Sequence, residues 1–454
     1  MHIKKTIRYF KKNGLRPTFY AVWERLEQKK TEKYTYLEPE EEILEAQREY
    51  EFSFPLSVSV VVPAYETDEL FLQDLILSVM EQTYQPLELV IADASSSERV
   101  KKVVEELQKE YDKLVYHHLA DNAGIAENTN RAVALAKGEY VGLLDHDDLL
   151  TKDALYRVAR VIEESKERPY LVFTDEDKTS TYLEKYYEPN RKISFDREML
   201  LTNNYVCHFS VYRKDVIEGL KLNPEYDGAQ DYDLVLRTLE KADHDLEEAG
   251  KGKKKGEELI LHVPEIVYHW RCHESSTAVN PESKMYAYEA GKRAVEDYLA
   301  RNHIPVKVSH SMHLGYYRLN YGDAVFNLRP DFGIVGGPLY EGGKICGGAM
   351  NADGTPVYEG LRKGFTGLRH RAILQQSVPA VDLRNARLSE KAAKILDEVT
   401  GIKSEKNGTG ENVWFKPVLN GLKNKQILEK SLIFCNKLRT SGIRIMYDPL
   451  QEMK

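Results

Sequence analysis

The chain has 454 residues, 42% of them apolar, and a formal net charge of −8, which allows two or three cored domains and disfavours general nucleic-acid binding. Cys207, Cys272, Cys346 and Cys435 show no CxxC spacing, which argues against a disulfide framework or zinc ribbon and for a reducing, cytoplasmic compartment. No run approaches the roughly 18 apolar residues that cross a bilayer, and the N-terminus lacks a signal-peptide core, so neither secretion nor membrane insertion is expected.

Residues 2–30 are basic, with Lys4, Lys5, Arg8, Lys11, Lys12 and Arg16 interleaved with Ile3, Ile7, Phe10, Phe19, Trp23 and Leu26 at helical spacings. Gly14 and Pro17 divide them into two amphipathic pieces. The pattern suits adsorption to the inner face of a cell membrane, where each basic residue contributes about 1 kcal/mol; a helix packed on the main domain fits equally well. Residues 38–51 read as an acidic helical linker. From residue 57 strands alternate with helices: 58–62, 87–92, 116–119 and 140–144 read as strands, and 70–82, 100–109 and 126–136 as helices. Such alternation predicts a mostly parallel sheet covered on both faces, the architecture of a nucleotide-binding α/β domain.

The strand over 140–144 runs into Asp145-His146-Asp147-Asp148. Carboxylates at a strand's carboxyl end lie where open α/β sheets bind ligands, and hard oxygen donors there suit Mg²⁺ or Mn²⁺ better than zinc. A helix cap before residues 152–162 explains the same acids. Other strands end in Pro63-Ala64-Tyr65-Glu66, in Asp93-Ala94-Ser95-Ser96-Ser97 and in Asp121-Asn122-Ala123-Gly124. Singly each is a turn or cap; together they face one edge.

The succession Val61-Val62-Pro63-Ala64-Tyr65, Ile91-Ala92-Asp93-Ala94-Ser95-Ser96, Asn122-Ala123-Gly124-Ile125 and Leu143-Leu144-Asp145-His146-Asp147-Asp148 resembles family 2 glycosyltransferases. The likeness continues through Phe173-Thr174-Asp175-Glu176-Asp177-Lys178, Gly228-Ala229-Gln230-Asp231-Tyr232-Asp233-Leu234 and Tyr268-His269-Trp270-Arg271-Cys272-His273, over roughly residues 57–300. It implies a GT-A fold and sugar transfer from a nucleotide diphosphate, with a divalent metal and inversion at the anomeric carbon. On that resemblance Asp147 is the metal ligand, and Asp145 contacts the ribose or reaches the metal through water. Pro63, Tyr65, Glu66 and Asp93 surround a nucleoside of a UDP- or dTDP-sugar, Asn122 and Gly124 line the same crevice, and Asp148 caps a helix. Where many relatives have an arginine after the Asn-x-Gly turn, this chain has Asn128-Thr129-Asn130-Arg131, which puts Arg131 in doubt for that place.

Direct displacement needs a general base beside the acceptor hydroxyl. Asp231 is preferred; Asp233, two residues on, is the alternative. Asp175 and Glu176 suit donor-sugar or acceptor recognition, and Trp270, Arg271 and His273, with Ser275, Ser276 and Thr277 behind them, a lid that closes on the diphosphate. Residues 243–258 read as an exposed loop of low complexity.

Beyond residue 330 the glycine-rich segments 331–337 and 442–449 resemble the acceptor-side half of a second, degenerate module, without a strand-end Asp cluster of its own. The expected domains are thus 1–50, basic segment and linker; 51–325, GT-A; and 326–454, a smaller C-terminal α/β remnant that binds acceptor or forms a homodimer. The expected function is a metal-dependent inverting transferase acting on a growing surface polysaccharide or lipid-linked glycan. The acidic, glycine-free 63–68 segment argues against a sugar nucleotidyltransferase, and the intact acids against a non-catalytic glycan-binding scaffold.

Overall fold

The computed structural model describes residues 2–31, 34–252, 255–273 and 285–451. They fall into two units, one of Tyr34–Phe195 and Asn204–Tyr298, the other of Met1–Lys33, Asp196–Asn203 and Leu299–Lys454. The division is not the linear one at 50 and 325. The basic N-terminal helices α1 (His2–Asn13) and α2 (Leu15–Thr31) count with the C-terminal residues. Gly14, at φ +81°, makes the break between them, a conformation glycine adopts without steric cost.

Residues 38–51 are not a free linker. Helix α3 (Glu41–Arg48) buries Leu44, and its Gln47 Oε1 accepts a 2.9 Å bond from Thr83 Oγ1, so the segment is packed onto its unit.

The αβ alternation follows as β1 (Val58–Ala64), α4 (Glu69–Met80), β2 (Glu88–Asp93), α5 (Arg99–Leu107), β3 (Leu114–His118), α6 (Ile125–Leu135) and β4 (Tyr140–Leu143). Next come β5 (Leu149–Leu150), α7 (Ala154–Glu164), β6 (Leu171–Ser180) and β7 (Tyr186–Asn190). After the short α8 (Arg197–Leu200) of the other unit come β8 (Ser210–Arg213), α9 (Lys214–Leu220), α10 (Gln230–Glu248), β9 (Ile260–Cys272) and α11 (Met285–Arg301).

The sheet runs β3-β2-β1-β4-β8-β6-β9-β5, with β7 on β6. The ladders among β3, β2, β1 and β4 are parallel, β8 is antiparallel to both neighbours, and β6 and β9 pair in parallel. Alternation along β1 shows why both faces are covered. Val58, Val60 and Val62 enter one core with Leu72 and Leu75 of α4, Val100 and Val104 of α5, and Leu155 and Val158 of α7. Val61, equally buried, points the other way, where α6 packs on β1 and β2. The carboxyl ends of β1, β2 and β4 therefore open on one edge.

Helix α10 takes in the first part of the region expected to be an exposed loop, to Glu248; residues 249–252 follow as an exposed turn, and 253–254 lie outside the described residues. Ala242 and Leu246, one helical turn apart, bury against Tyr170, Val216 and Leu259, which holds the helix to Glu248.

In the second unit a six-stranded sheet takes the order Gln376–Ser377, Arg444–Tyr447, Phe332–Gly336, Ala386–Leu388, Asn412–Pro417, Ser404–Thr409, and only Phe332–Gly336 with Arg444–Tyr447 is parallel. Helices Glu390–Thr400 and Asn424–Thr440 cover it through Ala392, Leu396, Phe434 and Leu438. Residues 196–203 belong here because the buried Arg329 guanidinium forks onto both oxygens of Glu198, at 2.8 and 2.7 Å.

Candidate active site

Strand β4 ends at Leu143, and the backbone turns, with Asp148 N donating to Asp145 O at 3.3 Å, before β5 pairs with β9. This turn carries the acids. Asp148 does not cap a helix: α7 begins at Ala154, behind Asp153. Asp148 is instead buried, accepting from Arg271 N at 2.7 Å and from the Tyr268 hydroxyl. Burial pushes its carboxyl well above the usual range, with the neighbouring Asp147 and Asp145 adding to it.

Arg271 is wholly buried rather than on a lid. Its Nε donates to Asp147 O at 2.9 Å, Nη1 to Thr181 O at 2.8 Å and Nη2 to Asp74 Oδ2 at 2.8 Å, and the guanidinium lies 4.5 Å from the Phe71 ring centre. It braces the acidic turn from behind. Ser275, Ser276 and Thr277 lie outside the described residues.

Asp145 and Asp147 remain open. Among the described residues the Asp145 carboxylate accepts no hydrogen bond. It is exposed; desolvation raises its pKa, opposed by His208 and His146 and reinforced by Asp147 and Asp231. Asp147 is partly exposed, and its Oδ2 lies 2.7 Å from His273 Nε2.

The same site contains His208, on the approach to β8, which no motif in the sequence marks. Its ring stacks at 14° on Tyr268, at 5.4 Å, and lies 5.0 Å from Trp270. Burial alone would lower its pKa, but Glu176, with Nδ1 to Oε2 at 3.5 Å, and then Asp145 and Asp148 outweigh it and raise the value to about 9. His208 is a cation at neutral pH, facing acids.

Asp231 sits in the first turn of α10 and accepts from Asn204 Nδ2 at 2.7 Å. Asp233 is buried, and its Oδ2 accepts from Arg237 Nε and Nη2 at 2.8 and 2.6 Å. The preceding loop is tied to the turn after β3: Asp227 Oδ1 accepts from Ala126 N at 3.3 Å, while Asn122 Oδ1 accepts from Gly124 N at 3.2 Å and Asn128 Nδ2 at 2.8 Å. Gly124 (φ +92°) opens α6 there. Arg131 pairs with Asp121 at 3.0 Å, away from the β4 acids.

Several expected ligand contacts are spent inside the protein. Glu66 gathers the backbone N–H and hydroxyl groups of Ser96 and Ser97 at 2.6–3.1 Å. These bonds, led by the Ser97 hydroxyl, lower its pKa to about 2. Asp93 is fully buried, accepting from Ser95 N at 2.9 Å and the Tyr116 hydroxyl at 2.8 Å. Asp175 accepts from Lys192 N at 2.8 Å and pairs with His262 Nε2 at 2.7 Å. Glu176 binds Lys192 Nζ at 2.8 Å, Asn190 Nδ2 at 2.9 Å and His208 N at 3.1 Å. Burial would raise the Glu176 carboxyl, and Lys192 and His208 reverse that and hold it below the usual range. These acids shape the site rather than open into it. Tyr65, half exposed, and Pro63, at the end of β1, remain accessible, as does the edge of Trp270, whose ring Lys178 Nζ approaches to 5.2 Å.

Residues 59–220, which contain the β1, β2 and β4 ends and the acidic turn, match the family described as Glycosyl transferase family 2. This segment is a family 2 glycosyltransferase domain. Its sheet, parallel as far as β4 and reversed at β8, is of the GT-A type. An uncharacterised protein of Sinorhizobium fredii is 33% identical over 249 residues, 54% of this chain and 25% of its own length. O-antigen biosynthesis protein RfbC of Myxococcus xanthus is 29% identical over 266 residues, 58% of this chain and 20% of its own. A GalNAc(5)-diNAcBac-PP-undecaprenol beta-1,3-glucosyltransferase of Campylobacter jejuni is 30% identical over 176 residues, 38% of this chain and 56% of its own. The matched chain thus spans a quarter or less of the first two relatives and about half of the third. Among solved structures, residues 1–349 of S. aureus TarS align over 54% of this chain and 65% of that one, at 17% identity and a TM-score of 0.39. No helix among the described residues of the glycosyltransferase domain, or of the rest of the chain, is long and apolar enough to cross a membrane.

Proposed function

We propose that the glycosyltransferase domain moves a hexosyl group from a UDP- or dTDP-sugar to a hydroxyl of a growing surface polysaccharide or lipid-linked glycan, with inversion. The observation that carries this reading is the acidic turn after β4, where Asp145 and Asp147 leave the sheet at the strand ends of a segment that matches Glycosyl transferase family 2. The acceptor class follows the names of the Myxococcus and Campylobacter relatives.

Asp147, partly exposed and with Oδ2 2.7 Å from His273 Nε2, is the group that would hold Mg²⁺ or Mn²⁺, with Asp145 on the same turn. When bound, such an ion neutralises the charge that gathers on the departing diphosphate. Arg271 keeps Asp147 in place through its backbone carbonyl. His208 supplies a fixed positive charge in the same site. Asp231, oriented by Asn204, takes the proton of the acceptor hydroxyl as that oxygen attacks the anomeric carbon opposite the diphosphate. One C–O bond forms, the bond to the diphosphate oxygen breaks, and the proton stays on Asp231. Asp233, held by Arg237, is the weaker candidate for the base.

A donor panel tests the reading. Nucleotide release from UDP-, dTDP- and GDP-sugars is measured with Mn²⁺, with and without chelator. The expected result is chelator-sensitive release from a uridine or thymidine donor that Asp147→Ala abolishes. No metal-dependent release or binding of any donor by the wild type overturns it.

A further inference from the structure

Helix α2 has two unlike faces. One is docked within its own unit: Glu24 accepts from Thr366 N at 2.9 Å and Gly367 N at 2.7 Å, and Trp23 packs at 5.5 Å on Phe365 beneath the Arg362 guanidinium, 4.7 Å away. Gly364 fits closely under Tyr20, where an added Cβ would lie 2.8 Å from the ring. Trp23 is therefore a docking residue and not, as its spacing implied, part of an open apolar face.

The opposite face has no such cover. Leu15, Phe19, Val22 and Leu26 are 75%, 60%, 40% and 56% exposed and follow one another at intervals of four, three and four residues, which aligns them in a single stripe. Ile7 and Phe10 of α1 are exposed as well. Beside them Lys11, Lys12, Arg16 and Arg25 are open to solvent. Residues 1–30 contain nine Lys and Arg against two Glu, in a chain whose net charge is −8. Both of those acids face the docked side, Glu24 on Thr366 and Gly367 and Glu27 at 3.7 Å from Arg362. The open stripe is thus flanked by positive charge with no acid among it.

We infer that this face of α1 and α2 lies on an anionic bilayer, its aliphatic and aromatic side chains entering the headgroup boundary and its lysines and arginines meeting lipid phosphates. Charge selects this occupant. Pairing with a second copy through the same stripe would bring two basic rims together, whereas an anionic surface complements both the apolar and the charged parts. Vesicle binding needs neither donor nor acceptor, so the inference stands or falls apart from the transfer reaction.

Co-sedimentation of the full chain tests it, with vesicles of phosphatidylcholine alone and of equal parts phosphatidylcholine and phosphatidylglycerol. The wild type is expected to bind the mixed vesicles at least about tenfold more tightly than the neutral ones, and to be released by high salt. Phe19→Ser with Leu26→Ser, both solvent-exposed, should weaken binding by about tenfold or more, and Lys11→Glu with Lys12→Glu by a similar factor. Leu87→Ser, an exposed leucine of the other unit, should change nothing. Circular dichroism melts confirm that the variants fold, and the lysine pair serves alone if the apolar pair does not. Equal binding to both vesicle types, binding that neither double variant alters, or a lipid-free wild-type dimer that Phe19→Ser with Leu26→Ser splits would each overturn the inference.

Discussion

Two acidic runs follow two apolar strands in the glycosyltransferase domain, and they end differently. Asp145, Asp147 and Asp148 follow β4; Asp175, Glu176 and Asp177 follow the apolar start of β6. Strand β4 stops before its acids, so Asp145 and Asp147 leave the sheet on a turn. Strand β6 does not stop. It continues through its acids to Ser180, flanked by β9 and β7, and each carboxylate meets a partner there: His262 for Asp175, Lys192 for Glu176, and His269 and Tyr34 for Asp177. The composition of the two runs is similar. The two runs differ in what meets the carboxylates: buried His262, Lys192 and His269 hold those of β6, whereas Asp145 accepts no hydrogen bond among the described residues and Asp147 meets the partly exposed His273.

The contrast can be broken or sharpened by experiment. The largest expected effect lies on the open side: Asp231→Asn should lower transfer by about a thousandfold while donor affinity by calorimetry changes little, and unchanged transfer would remove Asp231 as the base. On the closed side, Glu176→Gln should cost stability instead, about 3–5 kcal/mol in urea unfolding, because Lys192 is left buried without its counter-charge. A loss of less than about 1 kcal/mol would show the pair to be dispensable.

His208 joins the two sides and gives a pH dependence. Its folded pKa of about 9 stands above the ordinary 6.5, so its stabilising contribution is complete below about pH 6.5 and is lost as pH rises through about 9. The gap in unfolding free energy between wild type and His208→Gln should therefore shrink from at most about 3 kcal/mol near pH 6 towards zero above pH 9; a gap that stays constant refutes the charge. The smallest effect is one of sign. Asp145 is an acid whose pKa the fold raises, so its ionisation opposes folding above its ordinary pKa. Asp145→Asn should raise the melting temperature slightly at pH 7 while impairing nucleotide release. A fall in melting temperature would place Asp145 with the scaffold acids.

The residue order made much of this legible. Short continuous apolar runs alternating with amphipathic helical patterns place the strands and helices from 58 to 144, because local sterics and burial act over a few residues. The acidic turn also stands out, as carboxylates at the end of an apolar segment, and Asp231 through the family resemblance of residues 228–234. Arg271 was legible as important but not as buried, since nothing local says that Asp74, Asp147 and Thr181 converge on its guanidinium. His208 carried no signal, for its charge comes from Glu176, Asp145 and Asp148, all distant in sequence.

The sequence by itself determined the α/β alternation, the family likeness and the positions where chemistry is concentrated. Only the tertiary structure decided which acids are spent and which are open, that α3 is packed rather than a linker, and that Trp23 faces protein while Phe19 faces solvent. The reason is physical: elements follow from neighbours along the chain, whereas the occupancy of a lone pair or of an apolar face depends on groups that folding brings from far away.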